Sequence, residues 1–186
     1  MTEPASLYMQ VLGDCWAHAA EPIRRVHSTS SPVQAHGCLR VIQGRLVGRM
    51  VSRMLRLPSP GPAVETRLIV TAHSDGEHWK RTFRGRPLES WQYQPRGFEL
   101  AERFGIFEVR FGLQVFGGSL LYVQREAALR FGAWRVVIPA RVAPLVEARE
   151  EPVGPESVRV NVRVTLPCIG LLMAYDGVIT IEDAHA

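Results

Sequence analysis

FELAERFGIFEVRFGLQVFGGSLLYVQR, residues 98–125, is the stretch whose reading decides the fold. From Phe107 every second residue is large and apolar (Phe107, Val109, Phe111, Leu113, Val115), while Glu108, Arg110 and Gln114 fall on the other side. An alternation of period two is that of a strand with one face in the core and one in water. Gly117-Gly118 supplies two residues able to take positive φ, the requirement of a two-residue hairpin, and Leu121 and Val123 are expected to carry the apolar face back. Phe98–Arg125 therefore reads as three consecutive antiparallel strands.

Working outward, the same pattern recurs over most of the chain. Strands are expected at about 36–43, 64–72, 77–83, 87–93, 98–103, 106–116, 119–125, 141–150, 158–166 and 171–181, with Asp75-Gly76 and Arg84-Gly85 as tight turns. Val158, Val160, Val162, Val164 and Leu166 give the cleanest alternation, opposite Arg159, Asn161, Arg163 and Thr165. Residues 126–140, with Trp134 and Pro139, read as an apolar loop at the end of the sheet. Before the strands, residues 2–27 read as two short helices and 28–34 as a loop.

Residues 45–57 change period. On a helical wheel Leu46, Val47, Met50, Val51, Met54, Leu55 and Leu57 fill half the circumference, and Arg45, Arg49, Arg53 and Arg56 cluster opposite. The apolar half is expected to pack on the sheet, so that Asp at Met50 and Met54 would unfold the protein. A flat sheet of so many strands would leave long edges, so the expected architecture is one α+β domain over residues 1–186. In it, short N-terminal helices and one amphipathic helix pack on a large, strongly curled antiparallel meander, a partial barrel wrapped around that helix.

Composition excludes several classes. With 46% hydrophobic and 22% charged residues the 186-residue chain is an ordinary globular one. No apolar run has the roughly 20 residues of a membrane-spanning helix. The acid in MTEPASLYMQ argues against a secretion signal, so a cytoplasmic protein is expected. Of 22 basic residues all but Lys80 are Arg, and most alternate along strands instead of clustering, which argues against nucleic acid as partner. Cys15, Cys38 and Cys168 show no metal or disulfide spacing and are expected to be buried. His73 and His78 flank a turn but make only two ligands, so neither a metal nor a cofactor is expected.

Signatures of nucleophilic, metal-dependent and nucleotide-dependent catalysis are absent. What remains is polar groups on strands beside aromatic rings: Trp79, Arg81 and Phe83, then Ser90 and Gln92, then Glu102 and Arg103. Inside a curled sheet such groups need partners and could orient an apolar ligand. The expected function is non-enzymatic binding of an apolar or amphipathic small molecule. Trp79, Trp91, Phe104, Tyr122 and Tyr175 would form the wall, Arg81, Glu102 and Arg103 the orienting groups, and the Met-containing helix an inner wall or lid. The alternatives are an enzyme using Glu102 as acid or base, and a module docking on a membrane surface or a partner through the 45–57 helix.

Several short elements also occur together and in order: Leu12-Gly13-Asp14, a strand-then-helix ending in Leu57-Pro58, Trp79-x-Arg81-x-Phe83, the Ser90 strand, Glu102-Arg103-Phe104-Gly105, Leu166-Pro167 with Gly170, and Tyr175-x-Gly177. In these the chain resembles the bacterial domain of unknown function family numbered 4166. That resemblance implies a companion or ligand-presenting role beside oxidoreductase-like domains, and no catalytic residues.

Overall fold

The computed structural model describes residues 6–27 and 32–182. Eleven strands form one antiparallel sheet: β1 (Val33–Gln43), β2 (Gly61–His73), β3 (Gly76–Phe83), β4 (Arg86–Tyr93), β5 (Glu99–Phe104), β6 (Phe107–Phe116), β7 (Ser119–Phe131), β8 (Trp134–Val137), β9 (Leu145–Pro152), β10 (Ser157–Leu166) and β11 (Gly170–Ile181). β1 pairs with both β2 and β11, and β6 with both β5 and β7, so ten strands close into a barrel with β8 as an added flap on β7. The barrel is thus complete, not partial. Closure removes the sheet edges that a meander of this length would otherwise expose.

β7 is what makes closure possible. It spans 13 residues, and its first part pairs with β9 (Leu120↔Glu150 to Val123↔Glu147) while its last part pairs with β8 (Ala128↔Val137 to Phe131↔Trp134). The stretch expected as a loop after Arg125 is therefore largely strand, continued past a bulge opposite Arg110/Phe111. The hairpin also corrects one face. Gly117 and Gly118 both have positive φ, Phe116 pairs with Ser119, and Val115 consequently faces Leu120. Leu120 and Tyr122 point inward, whereas Leu121 and Val123, expected there, do not.

The walls separate apolar from polar as the alternation requires. Leu39 and Val41, Thr66 and Leu68, Phe83, Val109 and Phe111, and Val158 face in; His36 and Arg40, Arg67, His78 and Lys80, and Arg159 and Arg163 face out. An apolar interior with a charged exterior is the inverse of a membrane-spanning barrel, and no helix among the described residues is long and apolar enough to cross a membrane. All three cysteines are exposed, against expectation. For Cys38 the reason is parity, since it alternates with Leu39 and Val41 on β1.

One end of the barrel is plugged by α1 (Leu7–Leu12), a 3₁₀ turn (Gly13–His18) and α2 (Glu21–Val26). Ser6 caps α1 by accepting the Met9 amide at 3.2 Å, Gly13 at φ 55° ends it, and Pro22 opens α2. Tyr8, Ile23 and His27 are fully buried in this plug, and the Ala20 amide donates to the Gly118 carbonyl in the β6–β7 turn, tying plug to barrel.

The other end is partly covered by α3 (Leu46–Met54), between β1 and β2. Its seat is not its apolar half. Gly48 and Ser52 face β11: a Cβ on Gly48 would lie 2.5 Å from the Leu171 carbonyl oxygen, and Ser52 Oγ sits 2.7 Å from the carbonyl oxygens of both Gly48 and Leu172. Small residues let the helix backbone approach the strand, which turns Leu46, Met50 and Met54 outward at 82%, 73% and 77% exposure. The expectation that the apolar half packs on the sheet is thereby overturned for Leu46, Val47, Met50 and Met54, while Val51, Leu55 and Leu57 line the barrel interior. Asp at Met50 and Met54 is therefore expected to leave the fold intact, and the barrel is not wrapped around this helix.

On the outer wall, Glu108 is completely buried among Tyr93, Arg110, Arg130 and Arg135. Burial alone would raise its pKa, but hydrogen bonds from Tyr93 and Arg135 and the Arg135 and Arg130 charges hold it down at about 2, against 4.5 ordinarily. A carboxyl with a depressed folded-state pKa adds stability that is complete above its unfolded value and lost as pH falls through the folded one. About 3 kcal/mol should therefore disappear between pH 4.5 and 2. Denaturant midpoints measured across that window should fall steeply for the parent, and much less for Glu108→Gln, which is already destabilised at pH 7.

Candidate functional site

Inside the barrel is a cavity of about 580 Å³. Chain direction divides its wall. β1 leaves the plug and ends at α3, so the turns β3–β4, β5–β6 and β10–β11 and the β7–β8–β9 connections all lie at the α3 end. That half is apolar, lined by Leu55, Leu57, Phe104, Phe107, Leu129, Ile138, Val142, Val164 and Leu166. Aliphatic and aromatic strand positions continue inward through Phe111, Val160 and Val162 until the polar groups begin at the plugged end.

Two hydrogen-bonded clusters form that floor. In the first, Arg81 on β3 donates to Ser90 Oγ (2.8 Å, β4) and to Glu102 Oε1 (3.0 Å, β5), Ser90 donates to the same oxygen at 2.7 Å, and the guanidinium lies 4.8 Å over the Trp79 ring. These residues are neighbours because consecutive antiparallel strands place their inward positions side by side. Burial penalises the Arg81 charge, but the Glu102 carboxylate more than offsets this and pushes its pKa above the ordinary value.

The second cluster joins plug to barrel. The Tyr8 hydroxyl donates to Gln92 Oε1 (2.7 Å) and lies 2.9 Å from the Tyr122 hydroxyl, which donates to Glu150 Oε1 (2.8 Å). His27 Nε2 sits 2.9 Å from Glu150 Oε2. Desolvation works against ionisation of Glu150, yet His27, Tyr122 and Arg81 lower its pKa below the usual carboxylate value. A carboxylate can only accept, so Nε2 carries the hydrogen. Glu77, by contrast, is raised by burial; its Oε2 accepts from Trp79 Nε1 at 3.0 Å, and its Oε1, like His27 Nδ1, has no partner among the described residues. The Tyr175 hydroxyl also lacks a hydrogen-bond partner among them, although Tyr175 lines the cavity and its pKa is raised by burial.

Of the residues expected at a site, Trp79, Arg81, Glu102, Phe104, Tyr122 and Tyr175 line this one cavity. Trp91 and Arg103 do not. They pair across β4 and β5 on the outward parity, Trp91 against His73 and His78 and Arg103 in solvent. His73 and His78 belong to no group of three or more potential metal ligands among the described residues. Sequence reasoning missed Tyr8, His27, Glu77 and Glu150. For Glu150 a signal existed, an acid sharing parity with Val146 and Ala148 on β9. A broader depression beside the 3₁₀ turn, lined by Asp14, Phe98 and Phe116, is open to solvent and holds none of these polar clusters.

Geometry alone thus defines a class, the closed antiparallel barrel with a helical plug and an amphipathic internal cavity. The family model described as Domain of unknown function (DUF4166) matches residues 20–179, and the chain belongs to that family. The match runs from the start of α2 to within two residues of the end of β11, so it takes in every strand of the barrel. Nothing among curated proteins or solved structures matches the chain.

Proposed function

We propose that the barrel binds one apolar molecule carrying a small, neutral, hydrogen-bonding head. The observation that carries this reading is the polarity gradient of one cavity: about 580 Å³, apolar toward α3, with polar groups gathered at the plug. That volume falls among small-molecule sites, roughly 300–1,000 Å³, and such sites combine apolar walls with a few convergent polar groups. The Tyr175 hydroxyl, without a hydrogen-bond partner among the described residues, and the Arg81–Ser90–Glu102 cluster beside it are the groups a head would meet.

The head is neutral for an electrostatic reason. The charge of Arg81 is compensated by Glu102 at 3.0 Å, and Glu150 is ionised a short way beyond. An incoming carboxylate or phosphate would be desolvated against an existing anion, with no uncompensated cation beside it among the described residues. A hydroxyl, carbonyl or amide suffers no such cost. Catalysis by Glu102 is the weaker reading, because its Oε1 already accepts from both Arg81 and Ser90 and is held as part of a structural pair.

Native mass spectrometry of the protein isolated gently from the cell that makes it provides the test. An added mass that organic solvent removes, identified as a neutral lipid-like compound, is the expected result. Recovery of the bare chain alone, together with failure to take up added monoacylglycerol, would contradict the reading.

A further inference from the structure

The barrel has chemically opposite ends, and the α3 end carries features that ligand binding does not require. Leu46, Met50 and Met54 project from α3 on the side away from its Gly48/Ser52 seat. Across the mouth, Phe131, Trp134 and Val142 are 52%, 78% and 59% exposed. Both segments border the same opening, since Met54 and Leu55 from one and Ile138 and Val142 from the other line the cavity. Apolar surface therefore flanks the way in on two sides.

Its charge is equally one-sided. No acidic residue occurs in residues 44–64, which carry Arg45, Arg49, Arg53 and Arg56, or in residues 127–146, which carry Arg130, Arg135 and Arg141. The turns completing this end add Arg84 and Arg86, and again no acid. Arg130 and Arg135 are partly neutralised by Glu108 and Glu126, but among the described residues no salt bridge engages the four Arg of the α3 segment. The plugged end carries both signs, with Asp75, Glu151, Glu156 and Glu182 beside Arg24, Arg25 and Arg96.

We infer that the α3 end docks on the surface of an anionic lipid bilayer, with Leu46, Met50, Met54 and Trp134 entering the headgroup region and the α3 arginines meeting lipid phosphates. Apolar side chains flanked by Arg on a short exposed helix, with an indole beside them, are the composition of an interfacial anchor. A juxtaposed cluster of Arg draws such a surface toward acidic lipids. A protein partner could satisfy the apolar patch, but the absence of any acid over both segments fits a uniformly anionic surface better than a mosaic one. Docked this way, the cavity mouth opens onto the acyl chains. That the bilayer is the source of the bound molecule rests on the ligand-binding proposal above; the docking itself does not.

The test is co-sedimentation of the full chain with phosphatidylcholine vesicles, with and without phosphatidylglycerol. Binding to the anionic vesicles alone, weakened by salt, is expected. The double variants Met50→Asp/Met54→Asp and Arg49→Glu/Arg53→Glu should each lower vesicle partitioning by roughly tenfold or more with unchanged denaturant midpoints. Brominated lipid should quench tryptophan fluorescence in the parent but much less in Trp134→Ser. Val162→Trp, which obstructs the cavity, should retain vesicle binding, so that docking and ligand uptake fail separately. Should the Met variant unfold, the Arg variant decides alone. No sedimentation of the parent, binding indifferent to the Arg reversal, or a stable dimer that buries α3 and ignores vesicles would each overturn the proposal.

Discussion

Phe111→Ala is expected to lower unfolding stability by about 3–5 kcal/mol, the usual range for removing a buried aromatic ring. Phe111 is 1% exposed on the inner face of β6, and its ring meets Tyr122 edge-on with centroids 5.7 Å apart. Tyr122 is in turn the hydroxyl that links the plug residue Tyr8 to Glu150. Loss of the ring therefore removes apolar contact and loosens the tyrosine that fastens the plug. Against a typical total of about 5–15 kcal/mol the change takes a large share. A denaturant midpoint unchanged from the parent would mean that β6 does not face inward as described.

Arg81→Met should cost a similar amount, about 3–5 kcal/mol, for a different reason. It leaves Glu102, 8% exposed, as a carboxylate with Ser90 as its remaining hydrogen-bond donor among the described residues, and an uncompensated buried charge is much more costly than the pair it came from. The signature is the double variant. Arg81→Met with Glu102→Leu should recover most of the loss, since replacing both members of a buried pair by apolar groups is often neutral. If the double variant is as unstable as the single one, the pair does not stabilise the floor in the manner argued.

How much of this was legible in the chain depends on parity and distance. Trp79, Arg81 and Phe83 sit on one face by alternation alone, and they do face the cavity. The same rule places Leu120 and Tyr122 once Phe116 is paired with Ser119 across the two glycines; counting from Leu121 instead shifts the face by one residue. Trp91 was misplaced because an aromatic residue beside Ser90 and Gln92 suggests a core, whereas its parity points it outward. The plug network was not legible, because Tyr8 reaches Gln92 and His27 reaches Glu150 over 84 and 123 residues of chain, and no spacing encodes such contacts.

The helix α3 shows the limit of periodicity most clearly. Its wheel separates apolar from basic residues, and a helix in a globular protein ordinarily buries its apolar stripe. Here close approach decides. Gly48 and Ser52, one turn apart, form a small-residue strip that fits against β11, and Leu46, Val47, Met50 and Met54 are left outside. Barrel closure was also underestimated, because the pairing of β7 with β9 depends on a strand continuing through a stretch whose composition suggests a loop.

The central claim, that the barrel interior is a binding site, is tested most directly by equilibrium titration with Nile red, a neutral apolar fluorophore, on the parent and on Val162→Trp. Val162 lines the middle of the cavity, between the apolar mouth and the polar floor, and an indole there obstructs the path from mouth to floor that a ligand must span. The account predicts saturable uptake at one dye per chain by the parent, displaced by monoacylglycerol more effectively than by the corresponding fatty acid, and no saturable uptake by a folded Val162→Trp. Equal binding by both proteins, or none by the parent, would contradict it.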